Sequence, residues 1–196
     1  MDYPVPALFD QKPVIRITGA NAFPAYSHVR AGCRGIVLRG NEMLISHELN
    51  SGWYLIPGGG LEEGESLEAC CLREIEEETG VVARIEKPLF TLQEHYEDWL
   101  YISYYFLLSP VGQGMQALTE AEAKRGLVAE WQPIGDMLAL FARHEDYAAE
   151  SEPKRGSYQR EHTALQQYLL PEYLRICRRQ KDDFRNDPPL DHPLPD

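Results

Sequence analysis

Glu74, Glu76, Glu77 and Glu78 crowd into five residues just ahead of Thr79 and Gly80. On a helix, Glu74, Glu77 and Glu78 stand at i, i+3 and i+4, so their carboxylates project from one face. Like charges at such spacings cost about 0.2–0.5 kcal/mol per pair even when exposed. At a helix C-terminus each acid also opposes the macrodipole by ~0.3–1 kcal/mol, and a helix shaped only for solvation would carry lysine there. Carboxylates held together against both costs suit the binding of a cation. Ligands that offer only oxygen select a hard divalent ion such as Mg2+ or Mn2+.

The segment that must position them runs from Gly59 to Val81 and holds eight glutamates and one arginine. Ser66 has the chemistry of an N-cap and Gly80 that of a left-handed C-cap, which predicts a helix of about three or four turns between them. The acids therefore differ in standing. Glu62, Glu63 and Glu65 precede the positive end, where anions are favoured, whereas Glu76, Glu77 and Glu78 sit at the negative end. Trp53–Ile56 reads as a strand, and Pro57 with Gly58–Gly60 turns it into this helix. That order delivers a helix N-terminus beside a sheet edge, where backbone N–H groups can meet phosphate oxygens.

Gly59, Glu65, Arg73, Glu74, Ile75, Glu77, Glu78, Gly80 and Val81 together resemble the Nudix box: G, five residues, E, seven residues, R, E, an aliphatic, any residue, E, E, any residue, G, an aliphatic. No position departs from the pattern. At average residue frequencies a chance match in a chain of this length is on the order of 10⁻⁷. The resemblance implies an α/β (α+β) fold, a mixed β-sheet sandwiched between helices with the box as loop, helix, loop. It also implies hydrolysis of a diphosphate linked to another moiety. In that reading Glu74, Glu77 and Glu78 hold Mg2+ or Mn2+, Arg73 and Glu65 organise the carboxylates, and Gly59 and Gly60 approach the phosphates. Glu74 competes for the role of general base with Glu120, Glu122 and Glu161. A pyrophosphate is anionic and repels hydroxide, so its hydrolysis calls for divalent ions on independent physical grounds. The alternative reading is a non-catalytic sensor or regulator that keeps the box and binds a nucleotide-like ligand.

Around the box, Val14–Thr18, Cys33–Arg39, Met43–Glu48, Val81–Phe90, Trp99–Leu108 and Leu127–Trp131 read as further strands. Gly40 and Asn41 form a two-residue hairpin turn. Residues 1–30 are expected to be an N-terminal arm with a strand, 31–180 the hydrolase domain, and 181–196 a flexible tail rich in Pro and Asp. The arm would serve either a homodimer partner or its own sheet. Gln93–Asp98 is expected as a polar hairpin tip, and Tyr96 and Trp99, with Trp53, Tyr54 and Tyr101, offer rings on which a substrate base could stack. Glu120 and Glu122 fall in a loop before a strand, a helix is expected to start at Pro133, and residues 145–158 read as a polar loop. From Gln159 to Arg179 an apolar stripe of Leu165, Tyr168, Leu169, Tyr173 and Ile176, interrupted by Pro171, predicts one bent helix or two short ones. Arg160, Glu161 and His162 are expected in its first turn at the surface, within reach of a phosphate or metal.

With 19 basic against 31 acidic residues the formal net charge is −12, which argues against a nucleic acid backbone or an anionic membrane as partner. A small diphosphate would then depend on metal ions to enter. Hydrophobic content of 43% is that of an ordinary globular chain. Cys33, Cys70, Cys71 and Cys177 show no paired spacing and read as reduced thiols, and the first ten residues lack a signal pattern. Both point to the cytoplasm.

Overall fold

The computed structural model describes residues 5–168. Eight strands, β1 (Val14–Thr18), β2 (His28–Arg39), β3 (Glu42–Glu48), β4 (Trp53–Leu55), β5 (Gly58–Gly60), β6 (Val81–Tyr96), β7 (Trp99–Gln113) and β8 (Leu127–Pro133), join in one mixed sheet. The helices are α1 (Leu67–Thr79), α2 (Glu120–Arg125), α3 (Ile134–Phe141) and α4, which covers 152–168. The main path through the sheet is β1-β6-β7-β2-β3-β4, with β5 on β2 and β8 on β3. β1 and β6 are parallel, as are β7 and β2; the other pairs are antiparallel.

Strand periodicity sends alternate residues to two cores. Cys33, Val37, Leu44, Tyr104, Phe106 and Leu108 pack on one face against Leu67, Cys70, Cys71 and Ile75 of α1. Ile36, Met43, Ile45, Leu92 and Tyr105 pack on the other against Met137 and Phe141 of α3 and Tyr158, Ala164 and Leu165 of α4. The sheet is therefore sandwiched between helices, as expected.

One open alternative is decided and three expectations change. The arm is taken up by its own sheet: β1 pairs with β6 from Val14↔Thr91 to Thr18↔His95, and Phe9 is fully buried against Tyr104 and Phe106. The polar tip at 93–98 shrinks to the two-residue turn Glu97–Asp98, because Gln93–Tyr96 continue β6 and pair as far as Tyr96↔Trp99. Glu120 and Glu122 lie in α2, not in a loop; Thr119 and Glu122 form a reciprocal capping box that nucleates this short helix. Residues 145–158 are largely ordered structure, a 3-10 turn at His144–Tyr147 and then the start of α4. Ser151 Oγ accepts from the Lys154 N–H, and Pro153 sits in the first turn, where a missing N–H costs nothing. Leu169, Pro171, Tyr173, Ile176, Cys177 and the tail at 181–196 lie outside the described residues.

Candidate active site

α1 carries the caps its sequence requires. Ser66 Oγ accepts from the Ala69 N–H at 3.1 Å, and Gly80, at φ 68°, donates its N–H to the Glu76 carbonyl. Burial of Leu67, Cys70, Cys71 and Ile75 fixes the rotation of the helix and turns Arg73 and Glu77 toward a cleft. Gly58–Gly60 form β5, pairing with Arg34, Cys33 and Gly32. A methyl group on Gly58, where φ is +146°, would stand 2.1 Å from the Cys33 carbonyl oxygen; one on Gly59 would stand 2.3 Å from Glu74 Oε2. The first contact lets two backbones meet. The second brings a box carboxylate directly onto the turn.

Arg73 is the hub of the acidic wall. Its Nε and Nη2 donate to the two oxygens of Glu65 at 2.8 and 2.9 Å, a bidentate fork. Nη1 donates to Glu74 Oε1 at 2.8 Å and to Glu77 Oε2 at 3.0 Å, and Nη2 also reaches the Gly60 carbonyl. This fork draws the Glu65 carboxyl down to about 2. Glu74 moves the other way: burial raises its pKa against the opposing pull of Arg73, and the charges of Glu77 and Glu122 add to the rise. Glu78 turns away from Arg73. Its Oε2 accepts from Ser46 Oγ at 2.7 Å and from the Gly58 N–H at 3.1 Å. Burial nevertheless pushes its carboxyl up to about 7.

These carboxylates line one side of a cleft of about 1200 Å³, somewhat above the usual range for small-molecule sites. The opposite side belongs to β2, β7 and α4, with Arg30, Arg34, Tyr101, Ser103, Ser157 and Arg160 among its lining residues. Behind that wall Glu161 is 0% exposed. It accepts from Arg160 Nη2 at 2.6 Å and from Tyr105 Oη at 3.3 Å, and lies 3.8 Å from Arg34 Nη1. Glu94, also buried, lies 3.7 Å from Arg160 Nη1. Two buried carboxylates thus compensate two arginines that face the cleft.

The donor set fits a hard divalent ion in kind: Glu74, Glu77, Glu78 and Glu122 all line the cleft and offer only oxygen. Burial, with a smaller contribution from neighbouring carboxylates, raises Glu74 and Glu78, and a cation beside them would offset both. As the side chains stand, Arg73 is the cation between Glu74 and Glu77, and among the described residues no three His, Cys, Asp or Glu side chains converge as an ion cage. The expected trio is split into the Glu74–Glu77 pair on Arg73 and a separate Glu78 on Ser46.

Other expected residues are sorted by the same geometry. Gly59, Gly60 and Tyr96 line the cleft; Trp99 does not, and stacks instead on Tyr101 one residue pair further out. Glu122 lines the cleft although its Oε2 also accepts from the Thr119 N–H, whereas Glu120 is exposed. Glu161 is not a surface residue of a first helical turn: α4 begins at 152, so Glu161 falls on the buried stripe with Tyr158 and Leu165. Arg30, Arg34 and Ser46 escaped the sequence reading. A period-2 signal for the arginines was present, since Arg30, Gly32, Arg34 and Ile36 share one face of β2.

The NUDIX domain model matches residues 28–153, which includes the whole box and the strands of the cleft but not most of α4. The chain belongs to the NUDIX domain family. On that membership it is a Nudix hydrolase. An ADP-ribose pyrophosphatase of Methanocaldococcus jannaschii is 27% identical over 139 residues, covering 68% of this chain and 79% of that protein. The human 8-oxo-dGDP phosphatase NUDT18 is 34% identical over 98 residues, or 50% of this chain; the match spans only 29% of that longer protein. Among solved structures, a Nudix hydrolase from Nitrosomonas europaea is similar at 20% identity and a TM-score of 0.49, over 71% of this chain and 91% of that one. No helix among the described residues is long and apolar enough to cross a membrane.

Proposed function

We propose that this Nudix hydrolase opens the pyrophosphate bond of a nucleoside diphosphate linked to another moiety, by attack of water on phosphorus. The observation that carries the reading is the wall of box carboxylates organised by Arg73 and facing an arginine-lined wall across one cleft. Glu74, Glu77 and Glu78 would hold Mg2+ or Mn2+, and Glu122, which lines the same cleft, would join them. Bound there, a divalent ion would neutralise phosphate charge and lower the pKa of a coordinated water.

The chain's own residues account for the rest. Glu65 fixes Arg73, and Arg73 fixes the rotamers of Glu74 and Glu77. Gly59 and Gly60 leave the turn free of side chains where the diphosphate lies over the box. Glu74, whose carboxyl is raised by burial, is the residue we assign as ligand or general base; a base that takes a proton near neutral pH needs such a shift. Arg34 and Arg160, held from behind by Glu161, exclude bulk water from the far wall and offer N–H groups to substrate oxygens. The free thiols of Cys33, Cys70 and Cys71 support a cytoplasmic site of action. ADP-ribose, the compound in the name of the methanogen relative, is the first substrate to try.

The test is a panel of ADP-ribose, nucleotide sugars, dinucleoside polyphosphates and oxidised nucleotides, assayed with and without Mg2+ or Mn2+ and with product identification. The reading requires divalent-dependent release of a nucleoside monophosphate or phosphate. Glu77→Gln and Glu78→Gln should each lose at least a hundredfold in kcat with an unchanged circular dichroism spectrum. Near wild-type turnover in either would remove the assignment.

A further inference from the structure

The cleft contains five arginines, and four of them are already paired. Arg34 and Arg160 face Glu161, Arg73 holds Glu65, Glu74 and Glu77, and Arg125 lies 2.6 Å from Glu48. Arg30 is the exception: it lines the cleft with no carboxylate partner among the described residues. Its Nη2 would be 3.5 Å from a methyl group placed on Gly60, so the charge hangs beside the glycine turn of the box. Arg30 is exposed, so its charge is solvated and free to meet a substrate phosphate beside the glycine turn.

Directly across from Arg30 in the parallel β2–β7 register is Tyr101, which also lines the cleft. Tyr101 is held by a stack that begins outside. Asp98, in the turn before β7, pairs with Ser27 Oγ and His28 Nδ1, each at 2.9 Å. His28 lies over Trp99 with ring centroids 4.7 Å apart and an interplanar angle of 18°, and Trp99 lies beside Tyr101 at 5.8 Å and 17°. The outer rings thus set the plane of the innermost one. A polar anchor at one end and a ring facing the cleft at the other make a rigid platform, and a planar ligand stacks on such a platform with little ordering cost.

We infer that Arg30 and Tyr101 form the subsite for the nucleoside half of the substrate, Arg30 pairing with the phosphate borne by the nucleoside and Tyr101 stacking on its base. The assignment rests on the reading of the cleft as a pyrophosphohydrolase site for nucleoside diphosphates and adds which residues hold the base and the phosphate next to it. It makes the enzyme selective for nucleotides over diphosphates that have only a sugar or an alkyl chain. Trp99, Asp98 and His28 act through Tyr101 and are positioning residues.

Binding of mononucleotides without any divalent ion separates this inference from the hydrolytic one. Calorimetric titration in EDTA of the full chain with AMP, GMP and ribose 5-phosphate should show at least one nucleotide binding tenfold or more tightly than the base-free phosphate. Tyr101→Leu should abolish that preference and Tyr101→Phe should keep it. Arg30→Ala should weaken nucleotide and ribose 5-phosphate alike by about tenfold, and Arg30→Lys should recover part of the loss. If wild type binds AMP, GMP and ribose 5-phosphate equally, or binds none of them, the inference is overturned. The same holds if Tyr101→Leu retains the preference or Arg30→Ala leaves both affinities unchanged. Failure of wild type to hydrolyse any of the diphosphates would instead defeat the hydrolase reading, and is read in a separate assay.

Discussion

Replacing Glu65 by Gln tests whether the box is built around the Arg73 fork. In the native protein both oxygens of Glu65 accept from Arg73, at 2.8 and 2.9 Å, and the pair holds the carboxyl at about 2 against an ordinary 4.5. The glutamine keeps one acceptor oxygen and loses the charge. Hydrogen bonds to charged groups contribute about 1.5–3 kcal/mol each. Full conversion of the carboxyl shift would give ~3 kcal/mol, and solvent at Arg73, whose side chain is 24% exposed, screens that toward the lower figure. A loss of about 1.5–3 kcal/mol lowers Tm by roughly 3–12 °C for a chain of this size.

The pH dependence carries the sharper signature. Glu65 has a depressed folded pKa, so its stabilisation is fully present above the unfolded value of 4.5 and disappears as pH falls toward 2. The Tm difference between wild type and Glu65→Gln should therefore be constant above about pH 5 and shrink steadily in more acid buffer, as the wild-type carboxylate is itself protonated. Differential scanning calorimetry across that range is the assay. A variant within 1 °C of wild type at pH 7, or a Tm gap that does not narrow in acid, would refute the fork as the organising contact.

The two glycines of the turn should respond differently. Gly58→Ala meets a backbone carbonyl and strains a positive φ, so it should destabilise by about 2–4 kcal/mol in urea unfolding. Gly59→Ala meets only the end of Glu74, so it should cost less stability while reducing kcat at least tenfold in the divalent-dependent assay. Glu161→Gln leaves Arg160 with Glu94 as its remaining carboxylate and Arg34 with none, and should cost up to about 3 kcal/mol by the same unfolding measurement. His162 is lowered below its ordinary 6.5 by burial and then by the charge of His144, so the unfolded chain takes up the proton first. The contribution of His162 should fall as pH drops below 6.5, so the Tm of wild type relative to His162→Gln should decline in that range.

Most of the acidic wall was legible because its signals are local. Caps at Ser66 and Gly80, the i, i+3, i+4 carboxylates and the glycine turn all act within one segment, and the structure places both caps where the sequence put them. The two-residue turn at Gly40–Asn41 was equally plain, with Arg39 pairing to Glu42 across it. The opposite wall was not legible, because its members are distant in sequence and their polarity misleads. Residues 145–158 look like a loop until Ser151 caps a helix that runs through them. Glu94 and Glu161 look solvated until the parallel strands and α4 close over them, and Arg160, with Tyr105 and Arg34 on Glu161, then partners them in the interior. Arg73 shows a third kind of gap: spacing allows it to reach Glu65 or Glu77, and only the fold shows that it holds both along with Glu74.

That difference between the walls has a physical consequence for how a diphosphate is received. On the α1 side the carboxylates outnumber their single arginine, and Glu78 is pushed up to about 7 by burial that its hydrogen bonds do not offset. This wall gains by taking up positive charge. On the α4 side Glu94 and Glu161 match Arg34 and Arg160, so that wall offers directed N–H groups with the charge of Arg30 alone left over. A diphosphate entering alone would be repelled by the first and only weakly drawn by the second. One entering with a divalent ion satisfies the first through the metal and the second through hydrogen bonds. Substrate and metal should consequently bind with positive coupling: added Mg2+ should tighten a non-hydrolysable ADP-ribose analogue by at least tenfold in the wild type. In Glu77→Gln the gain should fall severalfold, because the carboxylate that links the two is gone. Equal enhancement in both proteins would show that the metal acts in solution by complexing the ligand, and the α1 wall would then need another explanation for its excess charge.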